Sequence, residues 1–116
     1  MINVRPFDSF VNSPAALTYT IRGSHSSIKL SNFGATILGV SVPDVYGTQA
    51  DVFLGYSLFA LYLDNPACFG ASIGPSANRA DKAEIPLNGV VYHLPKNNGP
   101  NNQNNLHTDL VAGIHK

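Results

Sequence analysis

The residues from which chemistry could start are few: His25, His93, His107 and His115, the single cysteine Cys68, the glycines Gly70 and Gly74, and Arg79 beside Asn78. The histidines have neither the spacing of a metal site nor a cysteine pair to assist them, so no metal is expected. By position, His25, His93 and His115 are strand or turn residues rather than ligands. Gly70 and Gly74 lack a Gly-Lys-Ser/Thr ending and a strand-to-helix context, which argues against a phosphate loop. They read as glycines that let two backbones approach closely within a sheet. Cys68 cannot close an internal disulfide and reads as a small buried apolar side chain. No pattern around a serine or the cysteine marks a nucleophile. Arg79 presents a rigid fork of donors. Taken alone, it is a structural arginine tied to Asp81 or to carbonyls at a strand end, because most arginines of a β protein are structural or solvated.

The elements that must position these groups are strands. Leu17, Tyr19 and Ile21 alternate with Thr18, Thr20 and Arg22, the period of a strand with one buried face. Gly23-Ser24-His25 reads as a turn, and Ile28 and Leu30 resume the alternation. After Asn32-Phe33-Gly34, residues Thr36, Leu38, Val40 and Val42 share a face until Pro43-Asp44 ends the strand. Within Asp51 to Tyr56, Val52, Phe53 and Leu54 in a row favour a strand covered on both faces over a short buried segment of another type. Ser57 to Leu63 is the one plausible helical turn. The sharpest local signal is Asn88-Gly89 between Ala83–Leu87 and Val90–Leu94: Asn-Gly tolerates the positive φ angles of a type I′ turn, so a β-hairpin is predicted. Pro86 cannot donate to a ladder, so its strand lies at an edge or has that position facing away from a neighbour. From Lys96 to Asn105, six asparagines, a glutamine, a glycine and a proline are loop chemistry, from which no core is expected.

Length and charge narrow the class. With 116 residues the chain is at most one domain, spanning 1–116, with a modest core. Seven Lys and Arg balance seven Asp and Glu and are scattered through the sequence, so neither nucleic acid nor a membrane is an expected partner. Met1-Ile2-Asn3-Val4-Arg5-Pro6 lacks the apolar core of a signal peptide, and no later run reaches the length of a spanning helix. A cytoplasmic protein is expected. Closely spaced turns with almost no helix predict an antiparallel all-β fold, a sandwich or an open sheet.

A series of short segments then resembles the aldose 1-epimerase (galactose mutarotase) family. These are Leu30-Ser31-Asn32-Phe33-Gly34-Ala35-Thr36-Ile37, Val42-Pro43-Asp44 with Gly47, Asp51-Val52-Phe53-Leu54-Gly55-Tyr56, Tyr62-Leu63, Asn65-Pro66, Phe69 to Gly74 and Ala77-Asn78-Arg79. The hairpin Leu87-Asn88-Gly89-Val90-Val91-Tyr92-His93-Leu94 is similar to the family's "LDG-x-x-Y-x-L" segment. Asn97 to Asn102 with Asn105-Leu106-His107 is similar to its "NNGPNNLH" loop. In order and spacing, the matches run from about Leu17 to the last residue. The sequence departs in three places: Pro75 stands where the family commonly has an arginine, Gln103-Asn104-Asn105 resembles a short insertion, and Thr108-Asp109 replaces a frequent glycine pair.

The resemblance implies part of an antiparallel β-sandwich of the galactose mutarotase supersandwich type, truncated. It implies an aldohexose such as galactose or glucose as partner and no cofactor. By residue match, Asn78, Arg79 and His107 are the substrate-binding residues. Arg79 would hold sugar hydroxyls or the ring oxygen, Asn78 would support the same pocket, and His107 would donate to a hydroxyl. Phe69 would stack on a sugar face or join the core. The family's acid, the histidine of an "H-x-Y-F-N" motif, and its base, a glutamate near the C-terminus, match nothing in this sequence, so no catalytic residue is assigned. Gly113-Ile114-His115-Lys116 resembles a segment from which the family pattern continues. The expected activity is therefore α/β anomer interconversion in the complete protein, with the isolated chain inert. The alternatives are a non-catalytic sugar-binding or interaction module, or an unstable remnant that self-associates through uncovered β edges.

Overall fold

The computed structural model describes residues 1–7, 16–74 and 76–107. Pro75, Thr108, Asp109 and the stretch 113–116, all part of the sequence reading, lie outside them. Two compact units are resolved, one spanning Met1–Ser72 and the other beginning at Ile73.

In the first unit five strands, β1 (Ile2–Pro6), β2 (Leu17–Arg22), β3 (Ser27–Ser31), β4 (Ile37–Pro43) and β5 (Gln49–Asp51), form one antiparallel sheet in chain order. The alternation of residue types is realised in the register. Val4 lies opposite Tyr19, Tyr19 opposite Leu30 and Ile21 opposite Ile28, which gathers the apolar side chains on one face. Thr18, Thr20, Arg22 and Lys29 take the other face. The β2–β3 turn is closed by the Gly23 N–H donating to the Ser26 carbonyl at 2.9 Å. A bulge between Lys29 and Leu30 shifts β4 by one residue, so that Gly39 opposes Lys29 and Ile37 opposes Leu30. Strand β1 is not among the expected elements, although Ile2 and Val4 carry the alternation.

The core of this unit is aromatic. A short helix, α1 (Ala60–Asp64), follows Phe59 in the span expected to be helical, and it ends at Asn65 in the left-handed region. Phe59, 1% exposed, meets Phe33 edge-on at 5.2 Å and Phe7 at 5.7 Å. Tyr62 is buried against Tyr56, and its hydroxyl accepts from the Tyr56 N–H at 2.9 Å. Phe69 is half-buried with its ring 5.1 Å from Tyr56, which places it in this cluster. Gly70 lies so close to β4 that a Cβ there would collide with the Ile37 carbonyl oxygen, and its φ is +65°. Here the close backbone approach expected of a glycine is present. At Gly74 it is not, because a Cβ would meet nothing within 4 Å.

Two other expectations are corrected. Val52 to Leu54 is no doubly covered strand: β5 stops at Asp51, and Val52 and Leu54 are 64% and 73% exposed. The Asp51 carboxylate ends the ladder by accepting from the Val40 and Phe53 N–H groups, both at 3.1 Å, where a further strand residue would pair. Cys68 is exposed rather than buried, in a turn with φ +54°.

The second unit contains β6 (Arg79–Ala80), β7 (Glu84–Leu87), β8 (Val90–His93) and β9 (Asn105–Leu106). β7 and β8 form the predicted hairpin, with Asn88 at φ 52° and Gly89 at φ 78° as the type I′ pair. Pro86 sits opposite Val91 in this two-stranded sheet, an edge position as its missing N–H requires. β6 pairs with β9, Arg79 opposite Leu106 and Ala80 opposite Asn105. Among the described residues, no helix is long and apolar enough to cross a membrane.

Candidate functional site

The asparagine-rich stretch before β9 is ordered by its own amides. Asn97 Oδ1 accepts from the Leu106 N–H at 2.7 Å while its Nδ2 donates to the Leu106 carbonyl at 3.0 Å, so one side chain imitates a neighbouring strand. Asn98 and Asn104 form a backbone bridge: the Asn98 N–H donates to the Asn104 carbonyl at 3.1 Å and the reverse bond is 2.9 Å. Asn104 Oδ1 takes the Lys82 N–H at 3.1 Å, and Asn105 Nδ2 donates to the Pro95 carbonyl at 2.7 Å. Gly99, Asn101 and Asn102 hold positive φ angles of 83°, 56° and 49°, which Gly and Asn tolerate best. The expectation that nothing here could be core is overturned by Asn105, which is 0% exposed. A primary amide can be buried when its polar atoms find partners, and the Pro95 carbonyl takes one of its N–H groups.

This scaffold brings the three predicted binding residues to one place. The chain turns on both strands at one end of the β6–β9 pair, at Asn78 just before Arg79 with φ 62° and at His107 just after Leu106 with φ 58°. The two turns are locked to each other. The His107 N–H donates to the Asn78 carbonyl at 2.9 Å, and the Asn78 N–H donates to His107 Nδ1, also at 2.9 Å. Left-handed geometry at a non-glycine residue costs of order 1–3 kcal/mol and persists where surrounding bonds over-determine it, as this pair does. Because Nδ1 accepts, the ring proton of a neutral His107 is on Nε2, which makes that nitrogen a donor directed away from the backbone lock.

Arg79, the first residue of β6, is exposed, and its Nε donates to Asn98 Oδ1 at 2.9 Å. Neither Asp81 nor another carboxylate among the described residues pairs with it. One edge of the guanidinium is thus fixed by a neutral partner, and both Nη groups are left without a protein acceptor among the described residues. The arrangement can offer donors held by neighbouring bonds, Arg79 Nη and His107 Nε2, and beside them the exposed side-chain amide of Asn78, to a ligand rich in hydroxyls. Asn98 is the residue that sequence reasoning misses as the one orienting Arg79. The two are 19 residues apart, and only the bridge to Asn104 carries Asn98 back to β6. The remaining histidine of this unit, His93, is a surface residue with Nδ1 3.7 Å from Glu84. The described residues contain no cluster of three side chains able to hold a metal.

The architecture defines a class first. Galactose 1-epimerase from Lactobacillus acidophilus NCFM superposes on 92% of this chain and 30% of its own, with a TM-score of 0.67 at 20% identity. An aldose epimerase homologue from C. elegans matches over 80% of the chain and 28% of its own, again with a TM-score of 0.67, at 28% identity. The fold is thus the antiparallel all-β fold of the galactose epimerases. The sequence model of aldose 1-epimerase matches residues 17–110, and the chain belongs to that family. Galactose mutarotase of Mus musculus is 36% identical over 83 residues, covering 72% of this chain and 24% of that protein. Aldose 1-epimerase of Streptococcus thermophilus is 43% identical over 68 residues, covering 59% and 20%. The chain spans about a quarter of the length of the curated relatives it matches.

Proposed function

We propose that this chain supplies the sugar-binding part of an aldose 1-epimerase that interconverts the α and β anomers of an aldohexose such as galactose or glucose in the cytoplasm. The observation that carries the reading is the mutual lock of Asn78 and His107 beside Arg79, which leaves donors of Arg79 and His107 without an acceptor among the described residues. The reaction needs a base to remove the C1 hydroxyl proton and an acid to protonate the ring oxygen. The C1–O5 bond then breaks, the C1–C2 bond rotates, and the ring closes on the other face. In this division of labour Arg79 and His107 hold the sugar's oxygens, which fixes the ring for both proton transfers. They supply neither proton transfer themselves. Glu84 is the single glutamate of the sequence and lies in the exposed strand β7, and no histidine stands in an "H-x-Y-F-N" motif, so residues 1–116 are expected to bind without turnover.

Calorimetric titration of the chain with galactose tests the binding role. Saturable heat is expected, and Arg79→Gln and His107→Gln should each weaken affinity by about tenfold, the usual scale for a charged or well-placed hydrogen bond. Polarimetry of α-galactose should then show equilibration no faster than buffer with residues 1–116, and faster than buffer with a chain that carries the two missing motifs. Absence of saturable sugar binding by the chain would overturn the proposal.

A further inference from the structure

The charged residues are scattered in the sequence, yet the sheet of the first unit collects three of the seven Lys and Arg residues on one face. Arg5 on β1 stands opposite Thr18, Asn3 opposite Thr20, and Thr20 in turn opposite Lys29 on β3. Arg22 follows Thr20 by two residues on β2, which puts it on the same face. The three cations therefore surround Thr18 and Thr20 in a cleft of about 560 Å³, and no carboxylate is among the described residues that line it. Arg5 Nε is steadied by Asn3 Oδ1 at 3.1 Å. Among the described residues the side chains of Arg22 and Lys29 have no acceptor.

Cations gathered with no counter-charge among the described residues repel one another and raise the local concentration of anions. The hydroxyls of Thr18 and Thr20 add donors at the floor, and the guanidinium of Arg5 offers its remaining edge. We propose that this cleft is an anion site for a phosphate dianion, free or as the monoester of a small molecule, separate from the residues that hold the sugar in the second unit. A phosphate suits it because its oxygens accept from several directions at once, matching a cation triangle above two hydroxyls. A carbohydrate without charge would leave the three cations uncompensated.

Calorimetric titration of the 116-residue chain with sodium phosphate and, separately, with glycerol 3-phosphate tests this, with ionic strength held constant by sodium chloride. Saturable binding is expected; a monoester that binds more tightly marks an organic phosphate as the ligand, and equal affinity marks the free ion. Arg22→Gln and Lys29→Gln should each weaken binding by about tenfold, while Lys29→Arg and the second-unit control Lys96→Gln stay within about threefold. In the unaltered chain, phosphate should shift the backbone amide resonances of Thr18, Thr20 and Lys29, a readout that does not depend on the variants folding. Heat matched by chloride alone, unchanged affinity in both Gln variants, or resonance shifts confined to other strands would overturn the proposal.

Discussion

The two units are held together by opposite means. The first combines a five-stranded ladder with an aromatic cluster around Phe59 and Tyr62. Among its described residues the second has only two-residue and four-residue strands, and its one fully enclosed large side chain there is a primary amide, Asn105. In the first, stability comes from apolar surface removed from water, which is large and indifferent to direction. In the second it comes from hydrogen bonds that work only in one geometry, such as Asn97 imitating a strand against Leu106. The candidate sugar site is in the directional region. A binding site for hydroxyls needs donors fixed in angle as well as position, and an amide network sets angles in a way an aromatic cluster cannot.

Truncating the aromatic anchor should have the largest effect. Phe59→Ala removes a ring with neighbours at 5.2 and 5.7 Å and should cost about 3–5 kcal/mol. Chemical denaturation of the chain and of the variant measures it. Asn105→Ala should cost less, about 1–3 kcal/mol, because it deletes the donor to Pro95 while the net value of a hydrogen bond is modest. The contrast sharpens with Asn105→Leu, which keeps the branching at Cγ and adds apolar surface. If this leucine substitution proves more stable than the alanine one, the second unit is held by burial like the first and the distinction fails.

The sequence and the structure agree where one residue or one period decides the outcome. Asn88-Gly89 specifies its turn because few other pairs accept two successive positive φ angles, and the alternation through β2 and β3 specifies which side chains share a face, whereas in β4 the bulge breaks the expected series Thr36, Leu38, Val40 and Val42 by setting Ile37 opposite Leu30. Disagreement arises where a particular side chain's bonds or a tertiary contact decides. Val52, Phe53 and Leu54 read as a buried strand, but the Asp51 carboxylate takes the backbone bonds and ends it. Cys68 has the composition of a core residue and sits exposed in a turn. The trio proposed to bind sugar is legible only through the resemblance of the sequence to a family. Arg79 alone pointed to Asp81, and its actual partner, Asn98, is one of six similar asparagines with no local mark. The cation cluster on the first sheet was invisible for the same reason, since it exists only once three strands are in register.

A smaller effect is expected at the hairpin turn. Gly89 has φ 78° with open space around its missing Cβ, so Gly89→Ala meets no steric neighbour and pays only for the backbone angle, about 1 kcal/mol. Thermal unfolding of the variant reads this directly. A loss as large as that of Asn105→Ala would mean that the hairpin, rather than the asparagine network, is the element on which the second unit depends.

The smallest effect belongs to the histidine that the structure leaves at the surface. His93 faces Glu84 at 3.7 Å with 75% of its side-chain area exposed, and pairs of that kind contribute little because water and salt screen them. His93→Ala should change stability by less than about 0.5 kcal/mol and leave galactose affinity unchanged, in contrast to His107→Gln. The two variants have the same starting residue type in the same unit, and they differ in what holds the ring. His107 is bonded to the backbone of Asn78, whereas His93 has only a solvent-exposed carboxylate. Equal loss of sugar affinity in both would show that the lock at Asn78 is not what makes a histidine useful here, and the amide-ordered region would lose its claim to the site.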